Sequence, residues 1–319
     1  MGGVPGRAGR AGGGAEGEWS CCAWLRLKWC PEIRSRTVVD AFYSARVRDL
    51  AVDAAVTGGN GRYEAELVPD WSAWGPVGGY VAAILARAAL AHGSLPRVAS
   101  LSCHFLSVGR FAPVDVEVTT LRRSKRAESV RCSMRQDGTA VADALIWLAS
   151  DHLDGLRHDA AAMPDVPAPE ELRSFAELIP DPDPPMPPMW NSIEGKPLVW
   201  HDDVGSRPLG EPYYGAWYRF PGHTTDDMAR QLVILDTIAW SAVWHAHPPD
   251  SGFIAPNLDL NVQFHRPAPE SEWLFGEGTA EVAENGLIGF RNRIWSDERE
   301  LLASASGQLI CRPDRTTPR

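Results

Sequence analysis

The feature that most constrains how this chain folds is an internal repeat. Residues 99–148 and 258–310 carry the same order of alternating strands, and each copy has a histidine beside a phenylalanine near its start, His104 in the first and His265 in the second. A repeated unit of this kind predicts two modules of similar structure that bury their apolar faces together.

A long apolar segment lies upstream of each copy, at residues 77–90 and 227–245, and predicts a helix. From Leu232 to Trp244 the second segment is apolar on nearly every face, which is typical of a buried helix. The expected fold class is therefore α+β, with a helix followed by an antiparallel meander in each of two tandem modules.

Chain length sets the number of domains, and composition indicates their boundaries. The 319 residues suffice for two domains of roughly 100–150 residues. Residues 1–37 are rich in Gly, Ala and Arg without a clear period, so we expect a disordered segment or one upstream of the true start. The ten prolines of residues 151–197, an acidic stretch, predict an extended linker. The N-terminal module is then 38–150, the C-terminal module 198–313, and 314–319 a tail.

Charge and cysteine content exclude several classes of protein. The net charge of −10 argues against nucleic-acid binding, which needs a basic surface. No run approaches the ~18 apolar residues of a membrane-spanning helix. The six cysteines show no spacing of a disulfide framework, so a reducing cytoplasm is the simplest compartment. Cys21, Cys22 and Cys30 fit no common zinc spacing, and neither a metal nor another cofactor is predicted.

Asp236 is the most unusual residue of the predicted buried helix, because an unpaired carboxylate there would cost several kcal/mol. One interpretation is that a neighbour such as Thr237 or Ser241, or a backbone donor, satisfies it. A second is that it pairs with an arginine such as Arg266 or Arg293. The third is a catalytic base whose pKa is tuned by burial. The residues alone leave all three open.

Two stretches of the chain resemble one family. The string WGPVGGYVAAILARAAL at 74–90 is similar to the N-terminal module of the acyl-CoA thioesterase II family, and AWYRFPGHTTDDMARQLVILDTIAW at 216–240 resembles its C-terminal half. The resemblance extends over about residues 38–313. It implies a double hotdog, in which each module has a long helix wrapped by a curled antiparallel sheet. It also implies an enzyme that hydrolyses acyl-CoA thioesters to free acid and CoA without a covalent intermediate.

The resemblance also implies a set of catalytic residues that positions one water molecule. The family's Asp falls on Asp236, its Thr position falls on Asn257, and its Gln position falls on Gly307, with Gln308 next to it. One residue of slip on a strand reverses the face of a side chain, so Gln308 completes the set only if a bulge turns it inward. The expected catalytic residues are thus Asp236, Asn257 and Gln308.

The phosphates of CoA favour a basic surface. The densest basic cluster lies at a strand-to-strand connection and comprises Arg122, Arg123, Lys125 and Arg126. We expect this cluster to bind substrate, although a solvated hairpin tip is the alternative. Gly78 and Gly79 open the first helix, where they either face the substrate or only permit tight packing.

Other functions lack support in the residues. Neither the Gly-x-Ser-x-Gly motif of α/β-hydrolases nor the Asp-x-Asn-Pro-x-His motif of hotdog hydratases is present. A non-catalytic acyl-CoA or acyl-carrier binding protein stays open, because Asn257 and Gly307 depart from the family's water site. Acyl-CoA is the expected partner, and nothing in the sequence decides between a monomer and a homo-oligomer.

Overall fold

The computed structural model describes residues 47–182, 186–203, 205–222, 228–266 and 270–314. The predicted N-terminal segment 1–37 and most of the tail lie outside these ranges. No helix of the described part of the chain is long and apolar enough to cross a membrane.

The N-terminal half of the described chain contains two α-helices and six strands. They are α1 (Leu50–Asp53), β1 (Thr57–Gly59), β2 (Arg62–Glu66), α2 (Gly78–His92), β3 (Arg97–Phe105), β4 (Pro113–Arg123), β5 (Ala127–Gln136) and β6 (Thr139–Ala149). In β4, Val114, Val116 and Val118 are buried while Asp115 and Glu117 are exposed, the alternation of a strand with one face on the core.

The C-terminal half repeats this plan. Its elements are α3 (Phe175–Leu178), β7 (Glu194–Pro197), β8 (Tyr213–Arg219), α4 (Met228–Ala246), β9 (Phe253–Ile254), β10 (Asp259–Phe264), β11 (Leu274–Glu284), β12 (Leu287–Ser296), β13 (Leu301–Ile310) and β14 (Arg312–Pro313). The two long helices that the apolar segments predict are therefore present as α2 and α4.

Twelve of the described strands form one antiparallel sheet that runs through both halves, in the order β1-β2-β4-β5-β6-β3-β10-β13-β12-β11-β8-β7. The halves join where β3 pairs with β10, with Ser102 opposite Asn261. These strands are the first of each repeat, so the two copies meet through equivalent edges. Helices α2 and α4 both pack on the sheet and against each other.

Close contact between α2 and α4 depends on Gly79. A Cβ atom at this position would lie 2.4 Å from the Leu232 carbonyl oxygen and 2.5 Å from the Val233 Cα atom. Both contacts are with backbone, which cannot move aside as a flexible side chain can. The crossing of the two helices therefore requires glycine at position 79.

The predicted linker differs from a simple spacer, because part of it is bound to the C-terminal half. Its residues 159–172, here termed the strap, include Met163, which is buried against Trp217, Phe275 and Trp295. The Trp217 indole N–H donates to the Pro167 carbonyl at 2.9 Å. Prolines remove backbone donors but keep their carbonyls, so the strap is held by side chains rather than by strand pairing.

Substitution of Gly79 by alanine should destabilise the protein by about 1–3 kcal/mol, since the added methyl group must separate two helix backbones. Gly59 is the matched control, because a Cβ atom there meets nothing within 4 Å. Urea unfolding of Gly79→Ala and Gly59→Ala measures both changes. Equal unfolding midpoints for the two variants would contradict the close helix contact.

Candidate active site

Asp236 lies on α4 and faces the first turn of α2. Its carboxylate accepts hydrogen bonds from the backbone N–H groups of Gly78 and Gly79. These are among the N–H groups that a helix leaves without intrahelical partners, and the helix start favours negative charge. A Cβ atom on Gly78 would lie 2.6 Å from Asp236 Oδ1, so the glycine makes this approach feasible.

Asn257 provides the third donor to the same carboxylate. It precedes β10 and forms an isolated bridge with Leu309, which fixes its backbone beside the end of β13. Its Nδ2 atom donates to Asp236 Oδ1 at 2.5 Å and lies 3.3 Å from the Asp236 carbonyl oxygen. The structure thus brings Asp236 and Asn257 together.

Burial raises the pKa of the Asp236 carboxyl from its ordinary value of 3.8 to about 6. The hydrogen bonds from Gly79, Asn257 and Gly78 act in the opposite direction, because they stabilise the ionised form. The side chain keeps partial exposure through a cavity, yet its carboxyl group is desolvated. A pKa near 6 leaves the group ionised at neutral pH and still basic enough to accept a proton.

Three of the side chains that the sequence suggests as partners of Asp236 make different contacts in the described structure. Thr237 donates its hydroxyl to the Val233 carbonyl at 2.7 Å. Arg266 pairs with Asp159, and Arg293 lies 3.9 Å from Glu277. The backbone donors that do satisfy Asp236 belong to the other long helix.

A cavity of about 260 Å³ lies beside Asp236 and is bounded by both halves of the chain. Its walls are mostly apolar, and Trp74 and Trp240 meet edge to face with their ring centres 6.0 Å apart. Met189 and Trp190, from the end of the predicted linker, also line it. An apolar cavity with a few convergent polar groups is typical of a small-molecule site.

Gln308 does not reach this cavity. Strands β12 and β13 pair without a bulge around it, and their register shift lies elsewhere, between Ile294 and Trp295. Gln308 is consequently exposed on the sheet face away from Asp236, and its backbone N–H donates to Asp259 Oδ1 at 2.8 Å. The structure corrects the expectation that Gln308 completes the water site, because the bulge it requires is absent at this point of the described pairing.

Gly307 shares the inward face with the buried residues Ala305 and Leu309. A Cβ atom there would lie 2.4 Å from the Asp259 carbonyl oxygen and 2.7 Å from Cζ of Phe290. The Phe290 ring thus occupies the space that a longer side chain at 307 would need. The position that corresponds to the family's Gln holds no polar group.

The predicted basic cluster is also distant from the cavity. Arg123 pairs with the buried Glu128, which accepts hydrogen bonds from Ser94 just beyond the last turn of α2. Asp236 instead contacts the first turn, and the 15 residues of α2 span about 22 Å. The exposed residues Arg122, Arg123, Lys125 and Arg126 are therefore placed at the opposite end of α2, at the β4–β5 connection.

Arg312 is a cavity residue that sequence reasoning missed. It lies on β14, after the repeat has ended, and no periodicity or motif marks it. The sequence assigns the thirteen tryptophans together to the core and the walls of an acyl pocket, and three of them, Trp74, Trp190 and Trp240, line this cavity. Neither these three nor Met189 could be singled out, because an aromatic or methionine side chain is equally typical of a core.

Two family matches cover most of the chain. Residues 67–149 match the acyl-CoA thioesterase N-terminal domain, and residues 159–310 match the acyl-CoA thioesterase C-terminal domain. This chain belongs to the acyl-CoA thioesterase family. The resemblance seen in the sequence is thereby confirmed, and the thioesterase class of enzyme with it. The C-terminal match begins at the start of the strap.

Solved structures of similar fold support the architecture. A conserved protein with a hot dog fold from Alicyclobacillus acidocaldarius has a TM-score of 0.72 at 19% identity, covering 85% of this chain and 98% of that one. The acyl-CoA thioesterase II TesB2 of Mycobacterium marinum has a TM-score of 0.68 at 18% identity, covering 84% and 100%. The tesB protein of Mycobacterium avium subs. paratuberculosis has 0.67 at 19%, covering 83% and 98%. The α+β class and the tandem hotdog architecture agree with the expectation.

Replacement of Asn257 by alanine should raise the pKa of Asp236, because the variant removes a donor that stabilises the carboxylate. Carboxyl ¹³C NMR titration of Asp236 measures the shift directly. Asn261→Ala is the control, since Asn261 donates to Asp259 on another surface. An unchanged Asp236 titration in Asn257→Ala would contradict the assigned hydrogen bond.

Proposed function

We propose that this chain hydrolyses acyl-CoA thioesters to the free acid and CoA, using a water molecule activated by Asp236 and forming no covalent intermediate. One observation carries the proposal. A carboxylate whose pKa burial raises to about 6 is held by three donors and faces an apolar cavity. The family supplies the reaction class, thioester hydrolysis, and the cavity supplies room for an acyl group.

The hydrogen bonds to Asp236 leave space for one more partner. An ionised carboxylate offers about four lone-pair sites, and Gly78, Gly79 and Asn257 occupy three. A water molecule donating to the remaining site would have its oxygen directed into the cavity. Asp236 then accepts the proton as that oxygen attacks the thioester carbonyl carbon.

The first turn of α2 also favours the negative charge that develops on the thioester oxygen in the next step. Proton transfer neutralises Asp236 and makes it a weaker acceptor for the Gly78 and Gly79 N–H groups. The positive end of α2 then stabilises negative charge on the thioester oxygen, at the same end of the helix. Collapse of the tetrahedral intermediate breaks the C–S bond, and the proton held on Asp236 passes to the departing CoA thiolate, which restores the ionised carboxylate.

A nucleophilic thiol is a poor alternative to the water. Cys103, on β3, is a thiol whose ionisation responds to the charge of Asp236, but it is fully buried. Burial, and then the charge of Asp236, raise the pKa of the Cys103 thiol. The group therefore stays protonated, whereas the thiolate is the reactive form.

A second candidate function is non-catalytic binding of an acyl thioester. The observation that favours it is the position of Gly307, where Phe290 fills the space of the third polar residue. Turnover and binding measured on the same preparation separate the two functions.

Asp236→Asn should lower kcat by roughly 10²–10⁴-fold, because the variant removes the general base and keeps the size of the side chain. Gln308→Ala should leave kcat unchanged, since Gln308 is exposed outside the cavity. Thiol release from short, medium, long and aromatic acyl-CoAs measures both variants. Binding of acyl-CoA without release by the wild-type protein would instead favour the binding function.

The pH dependence should follow the ionisation of Asp236. Only the ionised form accepts a proton, so kcat/KM should fall in proportion to the ionised fraction as the pH drops through about 6. Thiol release measured from pH 4.5 to 8 gives the profile. A profile that is flat down to pH 4.5 would mean that a different group activates the water.

A further inference from the structure

We propose that Arg312 binds a phosphate group of the CoA portion of the substrate at the mouth of the cavity. This inference rests on the proposed function, because it concerns the same cavity and the same substrate. It also replaces the basic cluster at residues 122–126, which the structure places at the far end of α2.

The position of Arg312 supports a contact with substrate. Its side chain is exposed, yet it lines the same cavity as Asp236 and Asn257. Among the described residues that line this cavity, it is the one lysine or arginine, and Asp236 is the one carboxylate. A base in the interior and a cation at the solvent side match a thioester whose anionic end stays near solvent.

The backbone on both sides of Arg312 is fixed. Strand β14 pairs with β9, with Arg312 opposite Ile254. Before it, Cys311 donates its backbone N–H to the Gly286 carbonyl at 2.8 Å. After it, Asp314 donates its backbone N–H to the Gly252 carbonyl at 2.8 Å. The guanidinium group is thus attached to an ordered edge, and less conformational entropy is lost when it binds an anion.

The guanidinium group of Arg312 is not used in a structural ion pair. Within the described ranges, no carboxylate oxygen lies within 4.0 Å of it, whereas Arg123, Arg219 and Arg266 are each paired with glutamate or aspartate. Binding of an anion by Arg312 therefore breaks no existing ion pair. Its planar group also matches two oxygens of one phosphate.

Electrostatics favour binding of the phosphate end of the substrate, rather than its acyl end, at Arg312. The protein has a net charge of −10, which repels a polyanion such as CoA unless a local cation offsets it. The apolar walls around Trp74 and Trp240 suit the acyl chain, and the exposed cation suits the charged end of the molecule. A carboxylate on the acyl group is the other anion that Arg312 would attract.

Two thioesters of one acyl group test the inference. Arg312→Gln should raise KM for the acyl-CoA on the order of tenfold, because a charge-assisted hydrogen bond is lost. KM for the N-acetylcysteamine thioester, which has no phosphate, should be unchanged in the same variant, and kcat should be unchanged for both. Arg312→Lys should show a smaller rise, since it keeps the charge without the planar geometry.

Lys125→Gln is the matched control, because it removes one positive charge from the exposed β4–β5 connection. It should leave KM for both thioesters unchanged. In the wild-type protein, KM for acyl-CoA should also rise with ionic strength more steeply than in Arg312→Gln.

Several results would overturn the inference. These are an equal KM rise for both thioesters in Arg312→Gln, no rise for either, or a rise confined to acyl groups that carry a carboxylate. Failure of the proposed function has a different signature, since the wild-type protein would then hydrolyse neither thioester. In that event the affinity of a non-hydrolysable S-alkyl-CoA, measured by calorimetry in wild type and Arg312→Gln, still decides the role of Arg312.

Discussion

The contact between the Asp236 carboxylate and the first turn of α2 holds the site together. It places an anion where a helix has unpaired N–H groups, and so it compensates part of the cost of burying a charge. Gly78 permits the approach of the carboxylate, and Gly79 permits the approach of the α4 backbone. The carboxylate comes from one half of the chain and two of its donors come from the other.

This arrangement gives a reason for the two modules to share one continuous sheet. Pairing of β3 with β10 aligns the halves edge to edge, and packing of α2 on α4 then brings Gly78 to Asp236. Neither half holds both the carboxylate and its helix-start donors. The strap secures the C-terminal half, where Met163 packs on three large aromatic residues.

Much of the fold follows from the sequence because it rests on local periodicity. Helices α2 (Gly78–His92) and α4 (Met228–Ala246) lie where the two apolar segments predict them, and the repeat forms two matching sets of strands. Asp236 was identifiable for a physical reason, since a carboxylate in an apolar helix requires compensation. Asn257 followed from the resemblance alone.

The remaining site residues depend on tertiary structure. Gln308 and Gly307 differ by one position, and the bulge that would exchange their faces cannot be read from residue types. The residues at 122–126 form a real basic cluster, but its distance from Asp236 is set by the length of α2. Arg312 and Trp190 reach the cavity from segments without periodicity, so their place is evident only in the folded chain.

The source of the new oxygen in the product acid distinguishes water activation from attack by the Asp236 carboxylate followed by opening of the anhydride at the Asp236 carbonyl. It is measured by a single turnover in H₂¹⁸O, with enzyme in excess over acyl-CoA. Water activation by Asp236 predicts ¹⁸O in the acid released in that first turnover and none in Asp236. Unlabelled acid in the first turnover, together with ¹⁸O in the Asp236 side chain by mass spectrometry, would show a covalent anhydride and contradict water activation.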